Sequence, residues 1–141
     1  MANEQQTDLP GSHLLDELDV LHRARREADA RTLLAVVEFA HQHDESTVDR
    51  ARAGLPGRQR AVRLGGEGTP KVAEFAPALV AGRLQLSPYA AGRLMADGLD
   101  LCHRLPRLWE RVQRLEVREG HARHVAKRTR DLPAGQAAYV D

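Results

Sequence analysis

Apolar residues recur at three- and four-residue spacings along most of this chain, and local start and stop signals cut that periodicity into helices. The first predicted helix starts at Ser12, placed as its N-cap, and runs to about His43, with Leu14, Leu15, Leu18, Leu21, Ala28, Leu34, Val37 and Phe39 on its apolar side. Its middle, Arg23 to Arg31, is polar except for Ala24, Ala28 and Ala30, small residues that allow another helix to approach closely. A helix of that length either crosses a whole domain or pairs with a second chain. Residues 44–69 break the pattern with Gly54, Pro56, Gly57, Gly65, Gly66 and Gly68, and are expected to form a flexible loop.

Two helices joined by a tight turn follow. Thr69 and Ser87 are placed as N-caps, each with a proline (Pro70, Pro88) at the first helical position, where a missing N–H costs nothing. Gly82 and the run Arg83-Leu84-Gln85-Leu86 end the first helix and turn the chain, and the second runs to about Arg104. Shorter helices are predicted over Pro106–Leu115, Glu119–Asp131 and, after Pro133, to Asp141. No strand-like alternation is visible, so the expected fold class is all-α: a long N-terminal helix plus a multi-helix bundle containing a helix-turn-helix-like pair. Residues 1–11 are polar and expected to be disordered.

Composition narrows the class. The 141 residues suffice for one domain, and with aromatics at only 4% the core must come from Leu, Val and Ala. One cysteine excludes a disulfide framework and a cysteine-rich zinc site. No apolar run approaches the roughly 20 residues of a membrane span, and the polar start is not a signal peptide, so the cytoplasm is the expected location. The net charge of +1 conceals an asymmetry. Residues 1–44 hold four arginines against nine acids, whereas residues 101–141 hold nine Lys and Arg against five acids. The basic end can meet either phosphate or the acidic end of the same or another chain. The loop arginines Arg50, Arg52, Arg58, Arg60 and Arg63 can meet phosphate if a partner orders them.

Candidate chemistry is sparse. His41, His43, Asp44 and Glu45 are ligand types at a helix end, but residues two apart diverge on a helix, so they are read as caps and solvated groups. His121 and His124 share a helix face, too few ligands for a metal site. Cys102 lies on the apolar side with no Cys–His arrangement in view and is read as a small core residue. No catalytic residue, metal or cofactor is therefore assigned. In the helix-turn-helix-like segment, Ala81 and Ala91 would let the helices cross, Leu86 and Leu94 would pin the turn, and Gln85 stands where glycine is usual. The second helix would expose Pro88, Tyr89, Gly92, Arg93 and Ala96, too few donors to read bases. Simple packing of two helices explains the pair. The functional expectation is weakly specific phosphate binding through Lys71, Arg83, Arg93, Arg123, Lys127, Arg128 and Arg130, with the last four facing outward.

The chain also resembles a known family. Thr69-Pro70, Val72-Ala73-Glu74-Phe75, Leu86-Ser87-Pro88 with Ala91, His103-Arg104-Leu105-Pro106 after Leu101, Leu108-Trp109, Ala122-Arg123 and Ala138-Tyr139-Val140-Asp141 are similar to the domain of unknown function DUF222, or 13E12 repeat family. The likeness spans roughly Leu14 to Asp141 and is most specific over Arg104–Val112. In actinobacteria that domain commonly precedes an HNH endonuclease module, which this chain lacks, and the family domain continues past the position of Asp141. The resemblance implies a non-catalytic helical accessory role, with DNA or a separate nuclease chain as partner. A homodimer through the long first helix, or a truncated remnant of an endonuclease, are the alternatives.

Overall fold

The computed structural model describes residues 9–49, 51–52 and 54–141, so the expected disorder of residues 1–8 and the loop residue Arg50 lie outside the described residues. Helix α1 (Ser12–Gln42) is followed by a 3-10 turn (Glu45–Thr47), strands β1 (Ala61–Arg63) and β2 (Lys71–Ala73), and helices α2 (Ala76–Leu84), α3 (Pro88–Arg104), α4 (Pro106–Gln113), α5 (Glu119–Thr129) and α6 (Ala134–Val140). The mostly helical fold is as expected.

Helix α3 is the axis. All eight residues from Leu94 to Leu101 are buried, because α1, α2, α4 and α5 pack around it. Gly98 sets the closest approach: a Cβ there would lie 2.6 Å from Val37 Cγ2 on α1. Ala30, Leu33, Val36, Val37 and Ala40 supply the α1 side of that contact.

The first half of α1 departs from expectation. Leu14, Leu15, Leu18 and Leu21 are 53–60% exposed, and Ala30 is the only one of the three small alanines that is buried. Periodicity identified an apolar stripe correctly, but no element among the described residues covers it. The N-cap is also Gly11, in the left-handed region at φ 81°, and not Ser12.

Residues 44–69 are more structured than composition suggested. β1 and β2 pair antiparallel with Val62 opposite Val72, and Asp44 bridges to Val72 on its other side, so Val72 is wholly buried. Strands this short carry too little alternation to be read from sequence. The hairpin also displaces the helix expected at Thr69. That side chain is buried, and its hydroxyl donates to the Gly66 carbonyl at 2.7 Å, closing the β1–β2 turn. The helix begins later, at Ala76. Ser87 does cap α3, accepting from the Ala90 N–H at 3.0 Å. Gln85 takes the left-handed conformation, φ 55°, that its position demanded. Among the described residues no helix is long and apolar enough to cross a membrane.

Candidate nucleic-acid interface

Helix α5 is held against α3 by buried charge. Asp97 and Asp100, one turn apart on α3, are 4% and 1% exposed. Arg130 donates through Nε to Asp100 at 2.7 Å and through Nη2 to Asp97 at 2.6 Å. Arg123 reaches Asp97 at 2.9 Å and Glu119 at 3.1 Å. Burial works against both guanidinium charges, but these carboxylate hydrogen bonds outweigh it and raise both pKa values. Arg104, also buried, donates to the carbonyls of Thr129 at 2.8 Å, Arg130 at 2.8 Å and Leu132 at 2.7 Å. It therefore caps the C-terminal end of α5, where carbonyls lack helical partners and the dipole favours a cation. Arg123 and Arg130 thus face Asp97, Asp100 and Glu119, while Arg104 sets a third positive charge against carbonyls; three cations and three carboxylates leave the cluster neutral, as burial requires.

This arrangement divides the basic residues of α5 by direction. Residues 122, 125, 126 and 129 face the core, and Arg123 and Arg130 flank that face and turn inward to the aspartates. His121, His124, Lys127 and Arg128 are exposed on the opposite side. The expectation that Arg123 and Arg130 face outward is corrected: their donors serve carboxylates, and Arg130 keeps only 19% side-chain exposure. The sequence missed this because Asp97 lies 26 and 33 residues before its two partners.

The outward face continues past the start of α5. A cleft between α1 and α5 is lined by His22, Arg25, Arg26, Asp29, Arg118, Glu119, Gly120 and His121. Arg26 also donates to the Leu115 carbonyl, in the turn before α5. The cleft meets the N-terminal end of α5, the end that favours anions. Among its acids, Glu119 is paired with Arg123, and Asp29 lies 3.9 Å from the exposed Arg25. Arg25, Arg26 and Arg118 were not among the sequence candidates; the basic flank of α5 was the available signal.

The other candidates lie elsewhere. Lys71 is exposed on β2. Arg83 lines an apolar groove with Thr32, Phe39 and Leu79, and Arg93 sits with its guanidinium 5.8 Å from the Tyr89 ring centre. Ala81 and Ala91 are buried where the pair crosses, but Leu86 is 39% exposed, so Leu94 alone is buried at the turn. Ala96 is buried too, not presented as expected. A recognition helix needs a free face over several turns, and α3 is buried without a break from Leu94 to Leu101.

At the end of α1, His43 stacks on Phe39 with ring centres 4.0 Å apart. Asp44 caps the 3-10 turn, and hydrogen bonds from Ser46 hold its carboxyl below the usual range. His41 does not act with its sequence neighbours. It meets His103 from α3, and Cys102 lies beside them, a Cys–His grouping that sequence separation had hidden. Compared with family models, curated proteins and solved structures, the chain matches none of them.

Proposed function

We propose that this protein is a non-catalytic helical accessory domain that binds nucleic-acid backbone phosphates through the outer face of α5 and the adjoining α1 cleft. The observation that carries this reading is the sorting of charge on α5. The inward arginines are neutralised by aspartates, and the outward Lys127 and Arg128 form no ion pair among the described residues. His121 and His124 on the same face supply further polar contacts. The absence of a free recognition surface on α3 favours weakly specific binding. The DUF222-like motifs agree with such a role, since that family accompanies nucleases.

The test is duplex-DNA binding by fluorescence anisotropy at two salt concentrations. With Arg25, Arg118, Lys127 and Arg128 each neutralising a phosphate, affinity should fall about 150-fold between roughly 50 and 200 mM salt. Replacing Lys127 and Arg128 by Ala should lower the slope of log affinity against log salt by about 2. An unchanged slope in that variant refutes the assignment.

A second reading, self-association through α1, rests on its exposed Leu14, Leu18 and Leu21. Their four- and three-residue spacing continues a coiled-coil seam. Asp16, Glu17 and Asp19 precede Arg23, Arg25 and Arg26, so antiparallel copies would place opposite charges together. Sedimentation should then give a dimer that Leu18→Glu converts to a monomer. A monomeric parent protein at high concentration rules this reading out.

A further inference from the structure

We propose that the C-terminal ends of α1 and α3 form a site for a divalent transition-metal cation of the zinc type, with His41 and His103 binding through Nε2 and Cys102 through Sγ. One ligand atom from each residue lies within 4.8 Å of the others. The two Nε2 atoms face each other at 2.9 Å, and the rings stand nearly perpendicular, at 89°. Among the described residues this is the grouping of nitrogen and sulfur donors with ligand spacing.

A direct imidazole–imidazole hydrogen bond also accounts for the 2.9 Å separation. It does not account for the third donor, nor for the helix ends. His41 and His103 each lie in the last turn of their helix, so two negative dipole ends converge on the same point and favour a cation. Glu38, one turn before His41, places a carboxylate oxygen 3.9 Å from His41 Nδ1, the nitrogen turned away from the cluster. Carboxylates behind metal-bound imidazoles orient the ring and strengthen the ligand. The close crossing of α1 over Gly98 keeps the two helix ends in register.

The adjustment on binding is small. Zinc–nitrogen bonds of about 2.05 Å at a tetrahedral angle separate the nitrogens by about 3.3 Å, so the rings must part by only about 0.4 Å. The thiol is the costlier ligand, since burial and Glu38 hold its proton on and the cation must displace it. His103 is exposed, which leaves a fourth position open to water or to an external ligand. Imidazole and thiolate donors select zinc, cobalt, nickel or copper over magnesium and calcium.

The experiment is a Co2+ titration of untagged protein, followed by displacement with Zn2+. One Co2+ per chain is expected, with visible bands of tetrahedral intensity and a near-ultraviolet thiolate charge-transfer band. Cys102→Ser should remove the charge-transfer band, and the His41→Ala/His103→Ala variant should remove the visible bands. These ligands lie at the edge of the core, and circular dichroism of each variant checks that the fold is kept. Glu38→Gln should weaken binding about tenfold. Equal Co2+ binding by the double-histidine variant and the parent protein overturns the proposal, as does binding without a charge-transfer band.

Discussion

Asp100→Ala is expected to remove about 3–5 kcal/mol of folding stability, enough to leave a domain of ordinary stability close to unfolded. Asp100 is 1% exposed and serves two elements at once. Its Oδ1 accepts the Gly66 N–H at 2.6 Å, and its Oδ2 accepts Arg130 Nε at 2.7 Å. Without it, the Gly66 N–H loses that acceptor and the buried cluster gains one uncompensated positive charge. Asp97 still holds Arg130 Nη2, which limits the damage but cannot restore neutrality. Urea unfolding measures the loss. Glu110→Ala, which breaks an exposed pair with Arg114, is the comparison and should cost under about 1 kcal/mol. Similar losses for the two variants would show that the buried cluster does not hold α5. If it does, Asp100→Ala should also weaken DNA binding without altering any outward cation.

The second large effect is expected at Gly66. A Cβ there would lie 1.4 Å from Arg104 Nη1 and 2.5 Å from the Arg130 carbonyl oxygen. No side-chain adjustment absorbs a 1.4 Å approach while the cap stays in place. Gly66→Ala must therefore expel the Arg104 guanidinium from the end of α5, and the Thr129, Arg130 and Leu132 carbonyls lose their donor. Overpacking costs about 1–3 kcal/mol by itself. Hydrogen bonds to a charged donor contribute about 1.5–3 kcal/mol each before the cost of burying that charge. A net loss of about 3 kcal/mol or more follows. A double-mutant cycle with Arg104→Ala tests the cause. Gly66→Ala should cost clearly less in that background, with a remainder from the Arg130 carbonyl. Strictly additive costs would mean that Gly66 acts independently of the cap.

Both predictions depend on contacts between distant parts of the chain. The helices themselves needed no such contacts. Ser87-Pro88, Pro106 and Pro133 mark starts that the structure uses, because capping and proline geometry act within one turn. Thr69-Pro70 carries the same local signal and is overruled, since Val72 is needed between β1 and Asp44. A three-residue ribbon has too little local pattern to announce itself. The apolar stripe on the first half of α1 was legible, but its exposure was not: periodicity identifies a face, and only the neighbours decide whether it is covered.

The candidate interface shows the same division. Basic composition at the C-terminal end was plain in the amino acids, and it suggested phosphate. Which of those cations are free was decided by Asp97 and Asp100, which draw Arg123 and Arg130 inward and leave Lys127 and Arg128 outside. His41 could be compared only with His43 along one helix; the crossing of α1 and α3 brings it to His103 and Cys102. Helix identity, caps and overall charge arise from interactions within a few residues, so they can be read along the chain. Pairing of buried charges and convergence of ligands join residues 26 to 62 positions apart, and the packing of helices around α3 alone settled them.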